Sequence, residues 1–367
     1  MTIPTLHDAA ITAVRAQAYT IPTDAPEADG TFGWDSTTLL VVEADAGGKT
    51  GIGYTYTDAC ATSLIRGALA EAVLHRDAFD VRAAWVAMQK RVRNIGRAGV
   101  AATAVSALDC ALWDLKAKLL GLPLVHLLGV IRERVPIYGS GGFTTYTDAR
   151  LRDQLSAWIA EGGCRWVKMK IGTEPQRDPS RVRAAREAIG DAGLFVDANG
   201  ALTQKEALHY AEVFAQYGVQ WFEEPVSSDD LAALSALRRA VASMEVAAGE
   251  YGYTLDYFRR MLDACAVDVL QADVSRCGGI TGFLDVATLC DAYHMALSAH
   301  CAPALHLHVA CAVPRLIHQE WFHDHVRIEA MLFDGAPRAA DGSITPDFSR
   351  PGCGLELKRA DARAFAV

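Results

Sequence analysis

Phe195-Val196-Asp197, Trp221-Phe222-Glu223 and Ala247-Ala248-Gly249-Glu250 are three short apolar runs, each closed by an acid. The acids stand 26 and 27 residues apart. A strand, a loop and a helix use about that length in a β/α repeat with short connections. The phase predicts three neighbouring parallel strands with their acids at one end. Carboxylates brought together repel one another unless a cation joins them. Oxygen donors alone favour a hard divalent ion, and Mg²⁺ fits best. One such acid would read as an N-cap or a surface residue; three in phase argue for a site.

The intervening text keeps the repeat. Thr203 with Glu206 makes a capping box, Ala207, Ala211 and Phe214 follow at helical spacing, and Gly218 is a stop. Downstream, Val267–Asp273 reads as a strand ending in an acid, Ala296–His300 as one ending in histidine, and Leu316–Glu320 as one ending in glutamate. Asp273 would then orient the imidazole of His300 from the neighbouring strand. Gly278-Gly279 would let backbone approach a ligand. His306 and His308 sit two apart on a helix, so they do not share a metal. His323 and His325 fall in a loop after Glu320.

Upstream, Val135–Gly139 reads as the first strand of the repeat and Arg165–Ile171 as the second. Lys168 and Lys170 are two apart and point the same way, while Val167, Met169 and Ile171 face the other. Each lysine disfavours the other's proton, which makes one a usable base near neutral pH.

Residues before about 130 lack this rhythm. Thr37–Glu43 and Thr50–Tyr56 form a hairpin around an Asp45–Lys49 turn. Helical text runs from Ala61 to Leu120, with Leu108, Ala111, Leu112 and Leu115 on one face. Sheet first and helices after is an α+β module. Residues 20–36 are rich in Pro, Gly and Asp and carry Phe32 and Trp34. They read either as a mobile surface loop or as a flap over a site.

The chain has 367 residues, which suits a barrel plus a smaller domain, and 51% apolar residues supply a large core. A net charge of −9 without a basic block argues against nucleic acid and anionic membrane surfaces. The absence of an 18-residue apolar run and of a signal-peptide pattern points to a cytoplasmic protein. The nine scattered cysteines, with no CxxC, read as reduced thiols.

Taken together, these motifs resemble the enolase superfamily, and within it the mandelate racemase subgroup. The resemblance rests on Lys168-x-Lys170, Val196-Asp197-Ala198-Asn199-Gly200, Phe222-Glu223-Glu224-Pro225, Gly249-Glu250, Asp273 with Gly278-Gly279, Ser298-Ala299-His300, Glu320, and the Ala-Leu-Trp-Asp-Leu-Lys segment around Trp113. It implies an α/β fold: a modified TIM barrel, (β/α)₇β, over residues 131–340, with an N-terminal α+β capping domain over 1–130. A C-terminal segment, 341–367, would pack back on the cap. It implies Mg²⁺ on Asp197, Glu223 and Glu250, Lys170 as a base tuned by Lys168, and His300 with Asp273 as the opposite acid/base. Glu320 would donate a hydrogen bond to the substrate carboxylate. Candidate substrate contacts are Trp34, Tyr54, Ser140, Asn199 and His323. The partner is a small carboxylate, and the resemblance also suggests a homo-oligomer.

The shared chemistry is removal of the proton α to a carboxylate, helped by a cation and a proton donor at the developing enediolate. If His300 then protonates a leaving β-hydroxyl, an acid sugar is dehydrated to a 2-keto-3-deoxy acid. If both bases act at the α-carbon, a 2-hydroxy acid is racemised or epimerised. Dehydration is the expectation. A metal- and carboxylate-binding protein without turnover would have lost a base or a ligand, and none is lost here.

Overall fold

The computed structural model describes residues 9–367. Three antiparallel strands open the chain: β1 (Ala13–Ala28), β2 (Gly33–Ala46) and β3 (Lys49–Tyr56). β1 was not legible in the sequence, because Pro22 and Pro26 mark its second half as loop. The structure absorbs them in a register shift between Pro22 and Glu27. Residues 20–36 are therefore mostly sheet. Only Asp29–Phe32 turns, held by Asp29 Oδ1, which accepts from the Thr31 and Phe32 N–H groups at 2.7 and 2.8 Å.

The helical stretch that follows ends in Val100–Leu120, where Leu108, Leu112 and Leu115 are fully buried. Gly121, at φ +67°, closes it in the left-handed region. This helix packs across β3 and against the barrel helix Gly279–Ala292. The contact explains Gly278-Gly279 differently from the expectation of a ligand approach. A Cβ at Gly279 would stand 2.4 Å from Asp109 Oδ2, and Asp109 accepts from both the N–H and the hydroxyl of Thr281. The glycines admit the cap helix, not a ligand.

The barrel has eight parallel strands in chain order: β4 (Val135–Gly141), β5 (Trp166–Lys170), β6 (Gly193–Asp197), β7 (Val219–Glu223), β8 (Glu245–Ala248), β9 (Val269–Ala272), β10 (Ala296–Ala299) and β11 (Leu316–Phe322). β11 pairs with β4 and closes the ring. Seven helices lie between the strands, and an eighth, His323–Leu332, follows β11. His323 and His325 thus begin a helix and are not loop residues. The predicted capping box at Thr203 and Glu206 is present.

Strand residues two apart share a face, so Phe195 and Trp221 point into the barrel below Asp197 and Glu223. With Tyr138, Trp166 and His318 they form an aromatic plug. This layer fills the barrel's lower half and leaves the polar residues at its C-terminal mouth.

The C-terminal stretch touches both domains. Ser343–Ile344 pairs antiparallel with β4, whereas the last residues reach the cap, where Val367 N–H donates to Ala18 O at 3.1 Å. Among the described residues no helix is long and apolar enough to cross a membrane. All nine cysteines are free thiols.

Candidate active site

Asp197 and Glu223 are the last residues of β6 and β7, and Glu250 follows β8 by two. The extra step is made by Gly249 at φ +138°, where a Cβ would lie 2.0 Å from Gln271 O. Oxygen atoms of the three acids all lie within 4.8 Å of one another, and all three side chains are buried. Glu250 Oε2 has no hydrogen-bond partner. Three converging hard donors and an unsatisfied buried oxygen fit a Mg²⁺ ion.

The lysines of β5 enter the same cluster. Lys170 Nζ is 2.5 Å from Asp197 Oδ2; Lys168 Nζ is 2.5 Å from Glu223 Oε1 and 2.8 Å from Glu320 Oε1. Burial opposes the charge on Lys168, but Glu223 and Glu320 outweigh it and hold the ammonium well above its ordinary range. Burial likewise opposes the charge on Lys170, but Asp197, Glu250 and Glu223 together outweigh burial and repulsion from Lys168. Repulsion between the lysines does not dominate, contrary to the reading from their spacing alone. The carboxylates facing them were not visible to that argument.

On the other side, His300 follows β10 and Asp273 follows β9. His300 Nδ1 lies 2.8 Å from Asp273 Oδ2, and Nε2 lies 3.3 Å from Glu250 Oε2 and 3.3 Å from Cys301 Sγ. Burial lowers the basicity of His300, but Cys301, Glu250 and Glu320 together raise it well above the usual imidazole range. Burial raises Asp273, but the hydrogen bond and charge of His300, with Arg276, together more than reverse it, so the acid stays ionised.

Glu320 lies inside β11, which continues to Phe322 and does not end at the glutamate. Its Oε1 accepts from Ser140 Oγ at 2.6 Å, and its Oε2 from the Cys301 N–H at 3.0 Å. Burial favours its proton, yet Lys168 and His300 hold it ionised. In this arrangement Glu320 accepts, so donation to a substrate carboxylate requires it to take up a proton.

These groups open into a cavity of about 450 Å³ under the cap. Lys170, Glu250, His300, Glu320, Asn199 and Trp34 line it. Three other expected substrate contacts do not. Tyr54 is fully buried in the cap, donating to Glu329 Oε1 at 2.5 Å and stacking on Phe333. It shares a face of β3 with Tyr56 but lies two residues further from the strand's end, where it meets Glu329 and Phe333, whereas Tyr56 lines the cavity. Ser140 holds Glu320 from beneath. His323 turns outward to Asp24, 3.1 Å away.

Sequence reasoning missed several lining residues that lie one to three positions past a site residue in the chain. Tyr251 follows Glu250 and Cys301 follows His300; Arg276 is three past Asp273. Glu224, the second acid of Phe222-Glu223-Glu224-Pro225, is buried at φ +37°, and its Oε1 has no partner. Burial, then Glu250, pushes its carboxyl well above the usual range. In the sequence the one available signal was its position beside Glu223; the strained backbone is visible only in the structure. The spacing of His306 and His308 argued only against a shared metal; the structure makes both buried hydrogen-bond partners of backbone. His306 Nε2 accepts from the Val274 N–H and His308 Nδ1 from the Val125 N–H.

An antiparallel cap closing an eight-stranded barrel over acids at its strand ends is the architecture of the enolase-like proteins, and the chain belongs to that family. Residues 150–362 match the enolase C-terminal domain-like family, and residues 11–129 match the mandelate racemase / muconate lactonizing enzyme N-terminal domain. A mandelate racemase/muconate lactonizing enzyme-like protein from Rubrobacter xylanophilus is similar throughout. It shares 51% identity and superposes with a TM-score of 0.95 over 98% of this chain and 100% of its own. The 3,6-anhydro-alpha-L-galactonate cycloisomerase of Streptomyces coelicolor is 34% identical over 94% of this chain and 96% of its own. The L-talarate/galactarate dehydratase of Salmonella typhimurium is 32% identical over 78% of this chain and 74% of its own. Its structure with Mg and L-lyxarohydroxamate superposes with a TM-score of 0.88 at 27% identity, covering 98% and 93% of the two chains.

Proposed function

We propose that this chain is a Mg²⁺-dependent acid-sugar dehydratase, with Asp197, Glu223 and Glu250 as the metal ligands. The observation that carries the reading is the entry of Lys170 and His300 into one cavity from β5 and β10. These strands are three apart one way round the barrel and five the other. Two acid/base groups approaching a substrate from different sides, over a set of hard oxygen donors, suit proton abstraction α to a carboxylate.

Mg²⁺, when bound, supplies the positive charge that stabilises the enediolate oxygens. With the charge of Asp197, Glu223 and Glu250 neutralised by the ion, the carboxylates that hold Lys170 as an ammonium would no longer do so, and the neutral amine takes the α-proton. Glu320, protonated, donates to a carboxylate oxygen. The β C–O bond breaks, and His300, held by Asp273, gives its proton to the departing oxygen, which leaves as water. The enol product then tautomerises to a 2-keto-3-deoxy acid.

The Streptomyces relative favours a second reading. A 3,6-anhydro sugar acid carries an ether oxygen on C3, β to the carboxylate. The same residues acting on such a substrate would open the ring in place of expelling water. The mass of the product separates the two, because dehydration removes one water and ring opening removes nothing.

The test is proton NMR of active acid sugars in D₂O, with a keto-acid assay, on wild-type enzyme and on Lys170→Ala and His300→Asn. Lys170→Ala should lose both α-proton exchange and product. His300→Asn should lose product and retain exchange, provided the lysine exchanges its proton with solvent. For substrates of opposite α-configuration the two variants trade behaviours. Racemised substrate without keto product from the wild type would replace dehydration with 1,1-proton transfer.

A further inference from the structure

The cavity wall is divided by charge. Its cationic side chains, Lys170, Arg276 and His300, all come from the barrel. Arg276 is committed to the barrel side as well. Its Nη1 lies 3.1 Å from Glu250 O, its Nε lies 3.6 Å from Asp273 Oδ2, and the guanidinium stacks 5.4 Å from the Tyr251 ring.

The cap contributes a different surface: hydroxyls such as Thr37 and Thr57, aromatic rings such as Tyr56, and the carboxylates of Asp29 and Asp58. Among the described residues the cap places no Lys, Arg or His on this wall. The barrel residue nearest that side is His325, whose ring stacks 3.4 Å from Tyr56. Its Nδ1 accepts from the Ala302 N–H at 3.2 Å, and burial keeps the ring neutral, with its pKa lowered to about 3. It can donate one hydrogen bond but offers no charge.

The proposed reaction fixes the substrate carboxylate at the barrel floor, so the other end of the substrate meets the cap. A second carboxylate there would face Asp29 and Asp58 with no opposing cation. Hydroxyl groups would donate to the same two acids and to Thr37 Oγ1, whose own proton goes to Asp324, and would accept from the Thr57 hydroxyl. We propose that the substrate is an aldonate, with one carboxylate and an uncharged polyhydroxy tail, and that the acidic cap wall excludes the matching aldarate. Arg260 lies in an adjoining groove, which shares Asn199 and Tyr251 with this cavity.

Matched pairs test this: gluconate with glucarate, galactonate with galactarate, mannonate with mannarate. Each compound is assayed for keto-acid product with wild-type enzyme, and titrated calorimetrically onto Mg²⁺-loaded His300→Asn, which reports binding without turnover. The best aldonate should bind at least tenfold tighter than its aldarate partner and show the same preference in any kcat/KM. Asp58→Asn should narrow that gap at least threefold by improving the aldarate. The proposal is overturned if the aldarate binds as well or better, if neither series binds at 10 mM, or if Asp58→Asn leaves the gap untouched. An aldarate preference with keto product refutes this inference and leaves dehydration standing. An aldonate binding preference without any keto product upholds it and counts against dehydration.

Discussion

Asp273 Oδ2 and His300 Nδ1 lie 2.8 Å apart although the residues are 27 apart in sequence. Each is the residue just past a strand end, and β9 and β10 pair Ala272 with Ala299 directly before them. The backbone register therefore sets the side-chain hydrogen bond. Asp273→Asn offers an amide where the imidazole needs an anion, so His300 loses its orientation and its stabilising charge. We expect kcat to fall by about 100-fold or more, with KM changed by less than about threefold. Steady-state kinetics would check this. A variant of normal kcat would remove Asp273 from the mechanism.

The metal assignment predicts a change in stability as well as activity. Three buried acids repel each other without an ion, so Mg²⁺ should stabilise the fold by mass action, by about 2.7 kcal/mol at 100 times its Kd. Thermal denaturation should show Tm rising with Mg²⁺ in the wild type and a much weaker response in Glu223→Gln. Chelation should abolish turnover, and restored Mg²⁺ should return it. Full activity in excess chelator would refute the site.

Phe32 and Trp34 should now behave differently from each other. Phe32 is 69% exposed at the tip of the β1–β2 turn. Trp34 is half-buried, packs edge-on against Phe143 with ring centroids 5.6 Å apart, and donates Nε1–H to the buried Glu27 at 2.9 Å. Phe32→Ala should raise KM and leave Tm unchanged. Trp34→Ala removes packing and leaves Glu27 without its donor, so it should also lose roughly 2–4 kcal/mol of stability. Paired melting curves and kinetics would decide. Equal Tm values for the two variants would show that Trp34 does not hold the cap edge.

His308 should contribute to acid sensitivity. Burial lowers its pKa to about 4, and its Nδ1 accepts from the Val125 N–H at 3.1 Å. The unfolded histidine, with a pKa of about 6.5, takes up a proton first as pH falls. Folding stability therefore declines from pH 6.5 towards 4 and is unaffected by this group above 7. His308→Asn keeps an acceptor for Val125 but cannot be protonated, so its stability should depend less on pH across that window. Urea titrations at pH 7, 5.5 and 4.5 would measure it. Parallel curves for the two proteins would show that His308 does not set the slope.

The sequence alone was enough for the barrel and its acids, because both follow from short-range periodicity. Apolar runs ending in Asp197, Glu223 and Glu250 recur at β/α length, and strand alternation puts Lys168 and Lys170 on one face. Those regularities are properties of the backbone and survive without knowledge of any long-range contact. Tertiary structure decided what the periodicity could not carry. It turned a proline-rich stretch into the second half of β1, because a register shift and pairing to β2 outweighed local propensity. It sent Tyr54 to Glu329 and left Tyr56 on the cavity, although both lie on one face of β3, because position along the strand decides what each ring meets. It gave Gly278-Gly279 to the cap helix, and it set the charge on the lysines through acids 27 and more residues away. Electrostatic and packing energies depend on distance in space, and the fold alone supplies those distances.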